Sequence, residues 1–185
     1  MVQVTSDDLD RVEFRAVHSG EHGHAARELE RLAEQADAHS TVSRAELLAR
    51  SGEQWEMAYE FARAAAVYQR AVEDGGPTLI DARALRAGAL LELERWEEAR
   101  QELDCLLAYG PRGLQTYLHV AEALYAYDDL PGAEHWSSLG VVRFREQVDT
   151  ERVRGLWVEL LRVRFRVRVD LGRTEDDLDR LLDEV

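Results

Sequence analysis

The sequence predicts an all-α protein built as a stack of about five helical hairpins. Only 3 prolines occur among 185 residues, so long stretches contain no residue that breaks a helix. A skeleton of small and apolar residues also recurs, because Ala64, Ala99 and Ala133 lie 35 and 34 residues apart. A period of that length is typical of stacked two-helix units. Such stacks usually form binding surfaces, so the pattern indicates the architecture far better than the partner.

We expect one domain over residues 1–185, divided into a degenerate N-terminal hairpin, three clearer repeats and a C-terminal capping hairpin. The predicted boundaries are 1–40, 43–77, 79–111, 113–147 and 150–185. The first helix is predicted from Ser6 to His18, with Ser6 as its N-cap. A second helix follows the turn at Ser19 and Gly20.

The first clear repeat begins at Ser43 with the pattern of a capping box. Its internal turn has two candidate positions, Ser51-Gly52 and the neighbourhood of Tyr59. The repeat ends at the sequence 73–77, where two glycines and a proline follow an acidic pair. The next two repeats predict helices over 81–93, 96–108, 113–127 and 131–145.

The last hairpin is predicted to contain helices over about 150–170 and 174–182. Residues 162–169 alternate arginine with apolar side chains, which is the period of a half-buried strand. The same segment also carries a helical apolar stripe through Leu160, Val163 and Val167. A lone strand would leave its backbone groups unpaired, so we predict a helix.

Composition limits the classes of function that the chain can have. The formal net charge is −14, which disfavours general affinity for nucleic acid. All basic residues are arginines, and nine of the 23 lie between Arg143 and Arg173. No signal sequence or membrane-length apolar run is evident, so we expect a cytoplasmic protein. The single Cys105 cannot form an internal disulfide and is predicted to be a small buried residue.

The three aligned alanines resemble the second-helix alanine of the tetratricopeptide repeat family. This alignment places Gly52, Ala87 and Ala121 on the family's small first-helix position. The resemblance covers residues 43–145 well and the two ends loosely. Segments such as Ala133-Glu134-His135-Trp136 and Leu171-Gly172-Arg173 also look like uncharacterised repeat proteins of GC-rich bacteria. The resemblance implies a right-handed superhelix whose first helices line a concave groove for a peptide or protein segment.

One version of the family clamps a C-terminal carboxylate with lysine, arginine and asparagine side chains. The corresponding positions here include Ala49, Glu53, Leu85, Gln115 and His119, so that clamp is absent. The resemblance instead implies a groove with an apolar floor, which suits a segment with an apolar centre and oppositely charged ends. Its acidic end would carry Glu46, Glu53, Glu56 and Asp81, and its basic end Arg162 and Arg166. The predicted groove residues are Glu53, Leu85, Gly88, Leu91, Leu118, His119, Glu122, Tyr125, Arg162 and Arg166.

We therefore expect an adaptor or assembly factor that binds a protein or peptide, without a cofactor. The alternatives are a self-associating homodimer and, less favoured, arginine-mediated nucleic-acid binding through residues 143–173. Trp157 is the tryptophan expected on an exposed partner surface. His18, His22 and His24 lie close enough in sequence to bind a metal, but their spacing matches no standard site. No motif for catalysis is present, so an enzyme is not expected.

Overall fold

Helices and turns make up the part of the chain that the computed structural model describes, residues 3–148 and 150–184, which contains no β-strand. The prediction of an all-α protein is confirmed. The chain divides into two compact units, Met1–Ala108 and Tyr109–Val185, which we call the N-terminal and C-terminal units. Their boundary falls near the end of the predicted second repeat.

The N-terminal unit contains three consecutive helical hairpins. Within it α2 packs on α3, α3 on α4 and α4 on α5. The core is formed by side chains that are almost fully buried, including Leu29, Leu47, Tyr68, Leu90 and Leu106. The helices are α1 Ser6–Ser19, α2 His22–Gln35, α3 Arg44–Met57, α4 Phe61–Asp74, α5 Ala82–Glu92 and α6 Trp96–Tyr109.

The N-cap of α1 is Thr5, so the prediction of Ser6 as the cap is wrong by one residue. Asp8 decides the position, because its carboxylate accepts the Thr5 backbone N–H at 3.0 Å and thereby satisfies a free donor at the helix start. The cap of α3 is Ser43 as predicted, and its hydroxyl accepts the backbone N–H of Glu46 at 2.9 Å.

The internal turns of the three middle hairpins repeat one backbone conformation. Tyr59, Glu94 and Asp128 have φ angles of 59°, 58° and 62°, in the left-handed region. After each of them, the next N–H donates to a carbonyl five residues back, at 2.9 Å in all three turns. The turn of the first clear repeat therefore lies at Tyr59, not at Ser51-Gly52. The spacing of these residues reproduces the 35- and 34-residue intervals of the alanines.

The C-terminal unit is built around three α-helices, the last of which is the longest with 20 residues. Within it α7 packs on α8, and α9 packs on both. The arginine-rich segment 162–169 lies inside α9, so the prediction of a helix there is confirmed. The elements are α7 Leu114–Ala126, α8 Leu130–Phe144, a 3-10 helix Arg145–Gln147, α9 Glu151–Asp170 and a 3-10 helix Asp179–Glu184.

The prediction of a final helix over 174–182 is wrong. The Asp176 carboxylate accepts the backbone N–H groups of Leu178 and Asp179 at 3.0 and 3.1 Å, so the chain turns at that point. Only the short 3-10 helix from Asp179 follows.

Two single-residue predictions are also corrected. Cys105 is exposed, because the buried positions of α6, among them Leu103 and Leu106, lie on a different side of the helix. Trp157 is buried, and its indole N–H donates to the Val141 carbonyl at 3.0 Å. Gly140 permits the close packing of α8 on α9, since a Cβ there would lie 2.5 Å from a methyl group of Leu160.

Candidate functional site

The predicted groove residues of the N-terminal unit do not share one surface. Leu85 and Leu91 are only 2% and 4% exposed and belong to the core, whereas Glu53 and Gly88 are partly exposed. The reason is that α5 is apolar nearly all round, and such a helix is buried rather than presented to a ligand. Leu85 and Leu91 therefore cannot form an accessible floor.

Glu53 instead belongs to a cluster of acidic side chains around Arg50. The Arg50 guanidinium donates to both carboxylate oxygens of Glu13 on α1, at 2.8 and 2.9 Å. It also lies 2.8 Å from the Glu53 carboxylate, one turn further along α3. One guanidinium thus holds two carboxylates, and its donors are largely used in doing so.

Further carboxylates act on this cluster from the same helices and from α5. The charge of Glu46 acts on Arg50 and Glu53, and the charge of Glu92 acts on Glu56. We call this group the carboxylate face. It consists of Glu13, Glu46, Arg50, Glu53, Glu56 and Glu92. A face with five carboxylates and one guanidinium carries a strong excess of negative charge, and that field attracts cations.

Two carboxyl groups of the carboxylate face are easier to protonate than usual. Burial raises the pKa of Glu53 to about 7, and the charges of Glu13 and Glu46 add to this effect while Arg50 opposes it. Burial likewise raises the pKa of Glu56 to about 7; the Tyr68 hydroxyl opposes this effect, and the charges of Glu53 and Glu92 add to it. Both groups consequently change charge close to neutral pH.

A buried tyrosine of α4 also interacts with the carboxylate face. The ring of Tyr68 on α4 lies against Gly52, where an added Cβ would be 2.2 Å from its Cε1 atom. The side chain is fully buried, and its hydroxyl faces the Glu56 carboxylate, whose charged form this interaction favours. Burial, together with the charges of Glu56 and Glu53, raises the pKa of the Tyr68 phenol well above its ordinary value.

Sequence reasoning found part of this cluster. Glu53 and Glu56 fall at the predicted acidic end of the groove, whereas Arg50 and Glu13 were missed, because residues 37 apart in the chain carry no pattern that pairs them. The contact of Tyr68 with Gly52 had a signal, since a large residue and a glycine occupied facing positions of the aligned repeat.

In the C-terminal unit, several predicted groove residues do lie together. The Arg166 guanidinium lies 5.0 Å from the centre of the Tyr125 ring, and the Tyr125 hydroxyl donates to Asp170 at 2.7 Å. Arg162 pairs with Glu159 at 2.5 Å. Burial raises the pKa of Glu122, with the Arg166 charge opposing and the Glu159 charge reinforcing this effect. Leu118 and His119 are partly exposed on the same helix, α7.

Two arginines of α9 are occupied in holding the C-terminal segment. Arg164 is 3% exposed and pairs with Asp179. It also donates two hydrogen bonds to Asp176, at 3.0 and 2.5 Å. Arg168 donates to Asp179 at 2.9 Å and to Glu134 on α8 at 2.6 Å. The Arg164 guanidinium holds the pKa of Asp176 well below its usual range. These arginines are therefore structural, and they are not available to contact phosphates.

Two of the three clustered histidines make separate hydrogen bonds. His18 Nδ1 lies 2.8 Å from the Phe14 carbonyl, and His22 Nδ1 lies 2.9 Å from the Gln54 amide oxygen. His18 and His24 line a surface pocket of about 490 Å³ between α1 and α2. Within residues 3–148 and 150–184, no three or more histidine, cysteine or acidic side chains converge as a metal site would.

Among the described residues, none of the helices has the length and apolar character required to cross a bilayer. No protein-family model matches the chain, and neither a curated protein nor a solved structure is detectably similar to it.

Proposed function

We propose that this chain is a helical-repeat interaction protein of the tetratricopeptide type, which holds a segment of a protein partner and acts as an adaptor or assembly factor. The carboxylate face supports the proposal. Its five acidic side chains come from α1, α3 and α5, and Arg50 neutralises only part of their negative charge. The partner segment is accordingly basic where it meets this face, since complementary charge steers and orients association.

Selection of phage-displayed random dodecapeptides on the immobilised protein at pH 8 tests the proposal. We expect the bound peptides to be enriched in lysine or arginine. A double variant, Glu46→Gln with Glu92→Gln, should bind them about three- to tenfold more weakly, because it removes two charges of the face but keeps both side-chain shapes.

A matched control carries the substitutions Glu97→Gln and Asp104→Asn. Both residues are exposed on α6, so the net charge changes equally while the carboxylate face is untouched. Peptides without basic residues, or equal weakening in both double variants, would contradict the proposal. Failure to enrich any peptide would contradict it as well.

Self-association is a second candidate, favoured by one observation on α9. Phe165 and Val169 lie one helical turn apart and are 40% and 56% exposed. A pair of this kind can pack against its copy across a two-fold axis. Sedimentation equilibrium at about 100 μM protein decides it. A dimer that Phe165→Asp dissociates supports this candidate, and a monomer at that concentration rejects it.

A further inference from the structure

The turn between α3 and α4 carries an aromatic side chain at a position where the backbone disfavours one. Tyr59 has a φ angle of 59°, and its side chain is 83% exposed. A bulky residue in the left-handed region costs free energy because its Cβ crowds the backbone, and so exposed a side chain recovers little of that cost by packing. The equivalent residues of the next two hairpins, Glu94 and Asp128, are polar, so the turn itself does not require an aromatic residue. A costly and exposed tyrosine indicates a role beyond folding.

Further apolar side chains accompany Tyr59 at this end of the hairpins. The Phe61 ring meets the Tyr59 ring edge to face, with the two ring centres 6.3 Å apart. Met57, at the end of α3, is exposed. Trp96 begins α6 as Phe61 begins α4, two residues after a left-handed turn residue, and it is exposed as well. We call Met57, Tyr59, Phe61 and Trp96 the aromatic edge.

The two turns that carry the aromatic edge are neighbours, and the first is held by its backbone. The charge of Glu92, at the end of α5, acts on Glu56 near the end of α3, and the two helices are in contact. The Tyr59 N–H donates to the Glu56 carbonyl at 2.8 Å, and the next N–H donates to the Trp55 carbonyl at 2.9 Å. A side chain presented from a fixed backbone loses little entropy on binding, so Tyr59 is suited to anchor a partner.

The border of the aromatic edge is negatively charged. Exposed ion pairs use three of the glutamates near it, Glu60 with Arg63, Glu97 with Arg100 and Glu98 with Arg95. Within residues 3–148 and 150–184, no arginine lies at ion-pair distance from Glu56, Glu92 or Glu94. These three carboxylates therefore supply the excess charge, which attracts a cationic chain and repels an anionic surface.

We propose that the aromatic edge anchors an apolar or aromatic side chain of the partner segment, and that lysine or arginine residues flank this side chain. This inference rests on the proposed function and states where the basic segment binds and what lies at its centre. Tyrosine and tryptophan are the residues most often found at such anchor points. A second copy of this chain fits the edge less well, because two acidic borders would face each other across a two-fold axis.

The test compares two fluorescein-labelled dodecapeptides by fluorescence anisotropy at pH 8. Both have lysines at each end. The first has a central leucine–phenylalanine–leucine core, and the second has serine–glycine–serine in its place. We expect the wild type to bind the first peptide about tenfold or more tightly than the second, because an anchor residue in a binding site contributes an effect of that size.

Tyr59→Asn removes the aromatic side chain but suits the left-handed backbone. We expect this variant to lose its preference for the apolar core, while its urea midpoint stays equal to that of the wild type or rises. Weaker binding by a protein that is no less stable distinguishes a binding residue from a structural one. Phe14→Ala is the matched control, because it removes an exposed ring of α1 in the same unit. It should keep the tenfold preference.

Several results would overturn the anchor. They are equal binding of the two peptides by the wild type, a preference that survives Tyr59→Asn, and a urea midpoint that falls in that variant. A wild-type dimer at about 100 μM that Tyr59→Asn dissociates would assign the edge to a second copy. Binding to phosphatidylcholine vesicles that depends on Tyr59 would assign it to a lipid surface.

The same variant separates the anchor from the proposed function. If basic peptides selected by phage display bind Tyr59→Asn as tightly as the wild type, the proposed function stands and the anchor falls. If no basic peptide is selected, both fall.

Discussion

Replacing Glu53 and Glu56 by glutamine should stabilise the protein at pH 8. Glutamine resembles the protonated carboxyl group in shape but carries no charge, so it removes the cost of keeping two half-buried charges beside Glu13, Glu46 and Glu92. Each pKa unit corresponds to about 1.4 kcal/mol, so a pKa raised from 4.5 to about 7 corresponds to about 3 kcal/mol for each group.

The expected gain is smaller than that limit. The Glu53 side chain retains 27% of its exposure, and water screens part of the repulsion. A glutamine amide in place of Glu53 also loses the charge attraction to Arg50, which is 2.8 Å from the carboxylate. We therefore expect about 2 kcal/mol for each substitution at pH 8 and less than their sum for the pair, because the two groups are neighbours.

The sign of the pH dependence follows from proton binding. Both carboxyl groups bind protons more tightly in the folded than in the unfolded chain, so their stabilising contribution is complete below pH 4.5 and is lost as the pH rises through about 7. Urea unfolding followed by circular dichroism at pH 5, 6, 7 and 8 measures the effect. The wild type should lose stability relative to the double variant across this range. A constant difference between the two proteins, or a variant less stable at pH 8, would refute the reasoning.

The remaining predictions concern packing, the buried arginine and the thiol. Gly52→Ala should cost about 1–3 kcal/mol in urea unfolding, because its Cβ would overlap a buried ring, whereas Gly155→Ala meets open space in α9 and should add about 0.5–1 kcal/mol; equal effects would contradict this packing. Arg164→Met should cost about 2–3 kcal/mol, because it leaves the buried Asp179 carboxylate with Arg168 as its remaining cation, and the exposed Arg162→Met should cost less than about 0.5 kcal/mol; similar losses in thermal unfolding would argue against a buried network. Cys105 should react with a thiol reagent in the native protein as fast as in urea, and protection in the native state would place it in the core.

The helices could be predicted from the sequence because the signals that specify a helix are local. Period, caps and breakers lie within a few residues of each other, and the alanine spacing reappears in the left-handed turn residues Tyr59, Glu94 and Asp128. The final segment was predicted incorrectly because its conformation depends on Arg164, which binds Asp176 and Asp179 across a turn.

The candidate site was less predictable for a physical reason. Whether Leu85 is a groove residue or a core residue depends on which helices cover α5, and the composition of α5 alone suggested only that it is apolar. The coupling of Arg50 with Glu13 depends on tertiary packing between α1 and α3. The charge of a surface can thus be predicted from sequence, whereas the pairing of its charged residues depends on the tertiary structure.

The repeated left-handed turns also bear on how the chain reaches its structure. Each turn brings two helices together within a few residues, so little chain entropy is lost in closing the loop. Most of the helix packing within each unit joins helices that are adjacent in sequence. A topology dominated by such short-range pairs has a low contact order, and proteins of that kind fold on the microsecond to millisecond timescale. Each hairpin can therefore form early from contacts that are local in the chain.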